Sequence, residues 1–316
     1  MTSAVVFAYH DVGVRCLTAL LEANIDIPLV ISHRDDPGET IFFASVARLA
    51  ASHDIECIFP DDPNTPEVLA RLQVLHPEFI FSFYYRRMLR PALLACARRG
   101  SYNMHGSLLP KYRGRAPVNW AVLHGERETG ATLHEMVEKP DAGRLVDREA
   151  VPIGPDDTAA EVFARVTGAA EIVIRRAIPH LIDGSAELTA QNLQQGSYFG
   201  GRSPEDGRID WRLSAQSVHN LVRAVAPPYP GAFTMIGGVK LKILKTRLLN
   251  EKFAIAAPPA LIFQPQSSLL AAVCADSSAL ALLAMQLDNA PFTPAEFLSR
   301  FGPESIPLPI SPAWRS

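Results

Sequence analysis

The sequence predicts an α/β fold in which a Rossmann-like, mostly parallel sheet is followed by a smaller β-barrel domain. In the first two-thirds of the chain, short apolar runs alternate with amphipathic stretches of helical spacing, which favours parallel strands with helices on both faces. In the last third, short apolar runs separated by turn residues are typical of a small β-barrel. A chain of 316 residues is long enough for two such domains.

The first strands and helices follow one another closely. Strands are predicted over residues 5–9, 28–32, 55–59 and 79–83, and helices over residues 14–23, 40–52 and 66–75. Ligands of such sheets bind beyond the carboxyl ends of the strands, where His10 and Asp11 follow the first strand. Because no G-x-G-x-x-G motif stands there, we reject a dinucleotide-binding function and expect no NAD site.

A loop and a long helix come next. Two strands, over residues 131–137 and 145–152, are predicted to flank a loop that carries Asp141. The helix is predicted over residues 158–182, where apolar residues recur at helical spacing, and Asp183-Gly184 ends it.

A linker separates the two predicted domains. Glycine, serine, proline and aspartate cluster over residues 196–207, so we divide the chain near residue 205 into domains of residues 1–205 and 206–316. The second domain is predicted to contain a helix over residues 214–225 and strands over residues 232–236, 239–246, 269–275 and 279–285. The proline-rich tail, residues 303–316, is expected to be loosely ordered at its end.

Composition narrows the class of protein. The chain is 48% hydrophobic and 20% charged with a formal net charge of −3, which is ordinary for a globular protein and does not favour a nucleic-acid partner. No basic leader precedes the first strand and the apolar run near residue 276 is interrupted by Asp276, so we expect neither a signal peptide nor a membrane span. The cysteines form no C-x-x-C pair, which predicts no zinc site and free thiols in a reducing cytoplasm; they are Cys16, Cys57, Cys96 and Cys274.

The stretch from Gly100 to Gly143 carries the candidate catalytic residues. Asn103 and His105 are two residues apart, so on a strand their side chains share one face. An amide can hold an oxyanion, and an imidazole can move a proton near neutral pH. With Asp141, they would suit acyl transfer onto an amine, although residues of these types also cap helices and form turns.

The same stretch resembles a known family. Residues 103–117, Asn-Met-His-Gly-Ser-Leu-Leu-Pro-Lys-Tyr-Arg-Gly-Arg-Ala-Pro, resemble the signature of folate-dependent formyltransferases. Residues 81–86, 111–115 and 118–120 are most similar to the formyltransferase domain of ArnA-type bifunctional polymyxin-resistance proteins, which formylates UDP-4-amino-4-deoxy-L-arabinose. The resemblance covers nearly the whole chain and implies a C-terminal open barrel and N10-formyltetrahydrofolate as formyl donor. No metal is expected, since no cluster of residues has the spacing of metal ligands.

The resemblance also implies roles for individual residues. Asn103 would stabilise the oxyanion, His105 would take the proton of the attacking amine or polarise the formyl group, and Asp141 would orient His105 or keep it charged. His134 is expected mainly to pack and form hydrogen bonds. The folate would be bordered by Arg115 and by two segments that the family uses for the pterin, namely Arg87, Met88 and Leu89, and Val137, Glu138, Lys139, Pro140 and Asp141. The nucleotide-sugar acceptor is expected to contact Tyr84 and Asn119, for which core packing is the alternative. Tyr229 is expected near the nucleotide and Arg223 at its phosphates.

The sequence suggests three alternative functions. The first is N-formylation of a nucleotide-linked amino-sugar, most similar to the enzyme for UDP-4-amino-4-deoxy-L-arabinose of lipid A modification; another UDP- or dTDP-amino-sugar is the variant. The second is methionyl-tRNA formylation, but family tRNA enzymes carry a longer basic insertion where residues 33–39 hold three acids and one arginine. The third is a folate- or nucleotide-sensing module, against which the intact Asn103, His105 and Asp141 argue. The bifunctional relative has a further C-terminal domain that decarboxylates UDP-glucuronic acid. This sequence of 316 residues lacks that domain, so we expect a stand-alone transferase and leave its oligomeric state open.

Overall fold

The computed structural model of the chain describes residues 2–36, 38, 41–251, 253 and 259–310. Its contacts divide the chain into two compact units, each built from more than one stretch. The first unit comprises Met1–Val118, Glu128–Pro152 and Phe163–Gly201, and the second comprises Asn119–Arg127, Ile153–Val162 and Arg202–Ser316. The domain boundary near residue 205 stays a prediction.

Strands and helices alternate up to residue 201. In chain order they are β1 Ser3–Ala8, α1 His10–Glu22, β2 Asp26–Ile31, α2 Val46–Ser52, β3 Cys57–Ile58, α3 Pro66–Leu75, β4 Phe79–Phe83, α4 Pro91–Leu94, β5 Gly100–His105, β6 Arg113–Gly114, α5 Pro117–Leu123, β7 Glu128–Glu135, β8 Leu145–Pro152, α6 Ala159–Asp183 and β9 Tyr198–Phe199.

The main sheet has the order β3-β2-β1-β4-β5-β7-β8. The five strands from β3 to β5 are parallel, and β7 and β8 continue the sheet antiparallel. The strand order reverses between β1 and β4, and open α/β sheets bind ligands at such a switch point, beyond the carboxyl ends of the strands. The predicted α/β fold is therefore confirmed, and His105, the last residue of β5, lies at this edge of the sheet.

The central strands are continuous apolar runs. In β1, Ala4 to Ala8 are fully buried, as expected for a parallel strand covered by helices on both faces. Val5 and Phe7 pack with Leu72 of α3, whereas Ala8 lies against the start of α1, where a Cβ on Gly13 would contact it. The two faces of the sheet thus carry different helices, α3 on one side and α1 on the other.

Several elements of the first unit differ from their predicted bounds. The first helix begins at His10 rather than at residue 14, because the chain turns directly after β1 with a φ of +67° at His10. The second begins at Val46, where the Ser45 hydroxyl accepts the Arg48 N–H and caps it. The earlier part of that prediction includes Thr40, which lies outside the described residues. The third strand spans only Cys57–Ile58.

The second unit holds an antiparallel sheet with two helices. Its elements are α7 Ala215–Ala224, β10 Ala232–Ile236, β11 Val239–Leu249, β12 Ala260–Gln264, β13 Leu269–Val273, β14 Ala279–Leu287, β15 Ala290–Phe292, α8 Pro294–Phe301 and β16 Ile306–Pro307. The sheet order is β10-β11-β14-β13-β12-β16, and in the part that the structure describes the two end strands do not pair with each other, so the barrel is open. Trp211 and Phe297 fill its core.

The sequence prediction missed several elements of this unit. They include β12, the short strands β15 and β16, and α8, which begins at a capping box between Thr293 and Glu296. The end of the predicted tail, residues 311–316, lies outside the described residues. Among the helices that the structure describes, none is long and apolar enough to cross a membrane.

Two glycines test how backbone conformation governs stability in this fold. Gly168 lies inside α6 and Gly184 follows that helix with a φ of +80°, and neither has another atom within 4 Å of the position of an added Cβ. We expect Gly168→Ala to raise the free energy of unfolding by about 0.5–1 kcal/mol, because alanine loses less backbone entropy than glycine in a helix. Gly184→Ala should lower it by about 1–2 kcal/mol, because an L side chain is strained at a left-handed φ. Urea unfolding checks both variants, and equal shifts in the same direction would contradict this account.

Candidate active site

Asn103 and His105 lie on β5, with His105 as its last residue. Since successive side chains of a strand alternate, these two share one face. The antiparallel neighbour β7 places His134 opposite Asn103 and Thr132 opposite His105. The strand pairing therefore brings a third polar side chain, His134, to the pair that the spacing predicts.

Asp141 lies in the loop between β7 and β8. Its φ of +52° is a left-handed value that is uncommon for residues other than glycine. Gly143 approaches the neighbouring strand so closely that a Cβ would overlap the carbonyl oxygen of Glu135. The glycine thus allows a tight loop, from which the Asp141 carboxylate accepts the Gly114 N–H over 2.8 Å.

His105 is held at both ring nitrogens. Its Nε2 lies 2.8 Å from the carbonyl oxygen of Tyr112, and because a carbonyl can only accept, this nitrogen carries a hydrogen. Its Nδ1 lies 3.6 Å from Oδ1 of Asp141. The position at which this ring can gain or lose a proton is therefore Nδ1, beside the carboxylate.

His134 links Asn103 to Asp141. Its Nδ1 donates to the carbonyl oxygen of Glu135 over 2.7 Å, so in the neutral ring Nε2 is an acceptor. That nitrogen lies 3.2 Å from Nδ2 of Asn103 and 3.5 Å from Oδ1 of Asp141. The structure thus brings four side chains together: His134 accepts from the Asn103 amide, and the same nitrogen lies close to the Asp141 carboxylate.

The Asp141 carboxylate is the electrostatic centre of this group. Burial raises its pKa, but three groups together lower it by more. His105 has the largest lowering effect, followed by His134 and then by the Gly114 N–H. The result is a pKa well below the usual range of aspartate. Asp141 therefore stays ionised at neutral pH although its side chain is only 14% exposed.

One segment, residues 189–199, contacts both the loop that carries Asp141 and the loop that carries Tyr112, and we call it the brace. Gln191 donates through Nε2 to the carbonyl oxygens of Asp141, over 3.0 Å, and Gly143, over 2.6 Å. Its Oε1 is buried without a hydrogen-bond partner among the described residues. Gln191 is 50 residues from Asp141 in the sequence, and the sequence analysis did not identify it.

The brace also holds the loop that carries the Tyr112 carbonyl. Tyr112 donates its N–H to the Ser197 hydroxyl over 2.9 Å, and its ring stacks on Phe199 with centroids 5.4 Å apart. The short strands β6 and β9 pair in parallel beside it. Gly114 has a φ of +97°, and a Cβ there would overlap the Phe199 carbonyl oxygen. These contacts fix two backbone groups of the site: the Tyr112 carbonyl, which accepts from Nε2 of His105, and the Gly114 N–H, which donates to Asp141.

The residues expected at the folate are largely accessible. Arg87 and Met88 are exposed and Leu89 is buried, with the Met88 carbonyl accepting from Asn64 over 2.9 Å. In the second segment, residues 137–139 are exposed and Pro140 is half-buried. These folate contacts stay predictions.

The cations near the site differ in exposure. Arg115 is exposed, its backbone N–H donates to the Phe199 carbonyl over 3.0 Å, and its guanidinium lies near Gly201. Lys111 is exposed, whereas Arg113 is buried with Nη2 3.5 Å from the Leu193 carbonyl. The folate contact of Arg115 also stays a prediction.

Two of the four residues expected to contact the nucleotide-sugar form a hydrogen-bonded pair in the second unit. Asn119 donates to the Ala224 carbonyl over 2.8 Å and forms a side-chain hydrogen bond with Tyr229, whose pKa is raised by burial. Tyr84 belongs to the first unit, and its hydroxyl lies where a Cβ on Gly106 would stand.

Arg223 is buried in the second unit. Its guanidinium donates to Oδ1 of Asn220 over 3.0 Å and to the carbonyls of Gly154 and Asp157 over 3.3 and 3.1 Å. The acceptor contacts of Arg223, like those of the other three residues, stay predictions.

No group of three or more histidine, cysteine, aspartate or glutamate side chains in the described part of the chain could hold a metal ion.

Comparisons with known proteins match most of the chain. A family model described as formyl transferase matches residues 4–178, and one described as formyl transferase, C-terminal domain, matches residues 202–302. Three solved structures share the fold. The N-formyltransferase from Helicobacter canadensis, in complex with folinic acid and dTDP-3-aminofucose, has a TM-score of 0.68 at 22% identity and covers 89% of this chain and 99% of its own.

The other two structures are similar at comparable identity. WlaRD, a sugar 3N-formyl transferase in the presence of dTDP and 5-N-formyl-THF, has a TM-score of 0.69 at 21% identity, covering 92% of this chain and 98% of its own. HypX from Aquifex aeolicus in complex with tetrahydrofolic acid has a TM-score of 0.61 at 18% identity, covering 94% of this chain and 47% of its own. At these identities the similarity shows the fold.

The lowered pKa of Asp141 predicts a specific pH dependence of stability. The pKa of Asp141 is lower in the folded than in the unfolded chain. The ionised carboxylate therefore stabilises the fold fully above the unfolded pKa, about 4, and this stabilisation is lost as the pH falls towards the folded pKa. We expect the urea midpoint of the wild type to exceed that of Asp141→Asn by a margin that shrinks between about pH 5 and pH 3. A margin that stays constant or grows as the pH falls would contradict the assignment.

Proposed function

The chain belongs to the formyl transferase family, and on this premise we propose that it transfers the formyl group of N10-formyltetrahydrofolate to the 4-amino group of a nucleotide-linked amino-sugar. The acceptor that we propose is UDP-4-amino-4-deoxy-L-arabinose. The observation that carries the proposal is the joining of Asn103, His105 and Asp141 in one polar group at the end of β5.

The reaction makes three demands on the site. The lone pair of the amine attacks the formyl carbon, and the carbonyl oxygen becomes an oxyanion. The attacking nitrogen becomes positive and loses a proton, while N10 of the folate leaves and gains one. The products are the formamide and tetrahydrofolate. The site must therefore stabilise an oxyanion and move a proton between two nitrogens.

Asn103 suits the oxyanion. One hydrogen of its amide is directed to Nε2 of His134 over 3.2 Å, which fixes the amide plane and leaves the second N–H for a ligand. A preorganised donor of this kind typically lowers an acyl-transfer barrier by about 3 kcal/mol.

His105 and Asp141 suit the proton transfer. The Tyr112 carbonyl keeps a hydrogen on Nε2, so Nδ1 is the nitrogen that exchanges a proton. The ionised Asp141, 3.6 Å away, stabilises the ring once Nδ1 is protonated and keeps it oriented. Together they can take up the proton of the attacking amine and return it to the leaving folate nitrogen.

The formyl donor would bind at residues 87–89 and 137–141, of which Arg87, Met88 and residues 137–139 are exposed, and the backbone of both segments would border the pterin. Arg115, exposed next to β6, would hold the anionic glutamate tail through its guanidinium.

The sugar acceptor is favoured over methionyl-tRNA by the stretch after β2. Its one arginine, Arg34, has its guanidinium carbon 5.1 Å from the centroid of the Phe59 ring, and Asp35 accepts from the Tyr9 hydroxyl over 3.0 Å. The remaining acids are Asp36 and Glu39, of which Glu39 lies outside the described residues, as does Pro37. A surface with so little free positive charge offers few contacts to phosphates, which provide most of the affinity for RNA.

The biological setting follows from this acceptor and is part of the same proposal: lipid A modification, polymyxin resistance and a cytoplasmic location. The four cysteines are free thiols, which suits a reducing compartment.

Substitution of either catalytic residue tests the site. We expect Asn103→Ala and His105→Ala each to lower turnover by about 100-fold or more, because one removes the oxyanion donor and the other the proton carrier. Formyl transfer under saturating donor and acceptor measures the effect, with His53→Ala, an exposed histidine after α2, as the control that should keep full activity. Variants that unfold, as seen by circular dichroism, would identify a structural network instead of a catalytic site.

A parallel assay tests the acceptor. Formyl transfer from N10-formyltetrahydrofolate is measured to UDP-4-amino-4-deoxy-L-arabinose and to initiator methionyl-tRNA. We expect turnover with the sugar nucleotide and none with the tRNA. Turnover with the tRNA alone would overturn the proposed acceptor. Binding of folate without turnover of either would also overturn it and direct the search to other nucleotide-linked amino-sugars.

A further inference from the structure

A row of aromatic rings borders the candidate active site in the first unit. We call Tyr84, His10, Phe43 and Phe42 the aromatic row. His10 is its centre, with ring centroids 6.5 Å from Tyr84, 3.9 Å from Phe43 and 5.4 Å from Phe42. Phe163 of α6 packs against it, 4.9 Å from His10 and 5.4 Å from Tyr84. The rings therefore pack together as one cluster.

The two ends of the row differ in character. At one end the Tyr84 hydroxyl lies against Gly106, the residue that follows His105, so closely that a Cβ on the glycine would overlap it. At the other end Phe42 is 45% exposed and its neighbour Ile41 is 38% exposed. The row therefore connects the catalytic strand end to an apolar surface that is open to a ligand.

The exposed end is fixed in place by the fold. The Asp11 carboxylate, in the first turn of α1, accepts the Ala44 N–H over 2.8 Å. In the same turn Nδ1 of His10 accepts the Asp11 N–H over 2.9 Å. One helix start thus orients the imidazole and anchors the stretch that carries Phe42 and Phe43.

The row and the segment proposed for the pterin pack against different helices. Phe163 belongs to α6, which is joined to α1 by the ion pair between Arg15 and Glu171 at 3.0 Å. Leu89 packs instead in the cluster of Leu72 on α3. The row is therefore supported by α6, and Leu89 of the donor segment by α3.

We propose that the aromatic row binds the pyrimidine base of the nucleotide-sugar acceptor, with the base stacked on Phe42. The inference rests on the proposed function. In a nucleoside diphosphate sugar, the ribose and two phosphates separate the base from the reacting amine, so the base must bind away from His105. The row extends from beside His105 to a ring whose face is accessible. Flat bases stack favourably on such rings without requiring a particular hydrogen-bond pattern.

Steady-state kinetics of three Phe42 variants test the proposal. We expect Phe42→Ala and Phe42→Leu to raise the KM for the nucleotide-sugar roughly 5- to 100-fold, because a stacking ring is lost, while the KM for the folate stays within twofold. Phe42→Trp, which keeps an aromatic face, should stay close to the wild type. Ile172→Ala removes a side chain of α6 that is 50% exposed and serves as the control without effect on either KM.

Calorimetric binding of UDP keeps this test separate from the proposed reaction. We expect UDP to bind the wild type and to bind Phe42→Ala roughly 5- to 100-fold more weakly, whether or not the chosen amino-sugar is formylated. UDP affinity that is equal in both proteins, or a rise of the folate KM alone, would overturn the proposal; the second result would assign the row to a ring of the folate. A wild type that binds UDP through Phe42 but fails to formylate the sugar would contradict only the proposed acceptor.

Discussion

The candidate site depends on one buried carboxylate held between two imidazoles. Asp141 remains ionised because His105, His134 and a backbone N–H more than offset the cost of burial. The carboxylate lies 3.6 Å from Nδ1 of His105 and 3.5 Å from Nε2 of His134, the nitrogen that accepts from the Asn103 amide. The proton carrier and the oxyanion donor therefore meet around one carboxylate.

The fold supplies this arrangement largely through backbone groups. The antiparallel addition of β7 to a parallel sheet brings His134 to Asn103, and a loop that closes only around Gly143 carries Asp141. The brace then holds this loop through Gln191 and the Tyr112 loop through Ser197. Since both partners of the His105 ring are positioned by one segment, the orientation of the imidazole is set by the framework and not by the ring itself.

The fold class and the formyltransferase family could be predicted from the sequence, since strand and helix alternation and the motif around Asn103 are local signals. The contact of His134 with Asn103 could not, because it requires the antiparallel register of two strands. The partners at Tyr112 and Gly114 are backbone groups and leave no mark in residue types. Gln191 lies too far along the chain from Asp141 for any spacing rule to connect them, whereas the capping box of α8 was a signal that the prediction overlooked.

The central claim is that the Tyr112 carbonyl keeps the hydrogen of His105 on Nε2, so that Nδ1, beside Asp141, exchanges the proton. Nitrogen-15 NMR of the histidine side chains, with the His105 signals assigned from a His105→Gln variant, measures this directly. The account predicts a protonated Nε2 in both the neutral and the charged ring, with only Nδ1 changing as the pH is raised. A neutral His105 that carries its hydrogen on Nδ1 would contradict it.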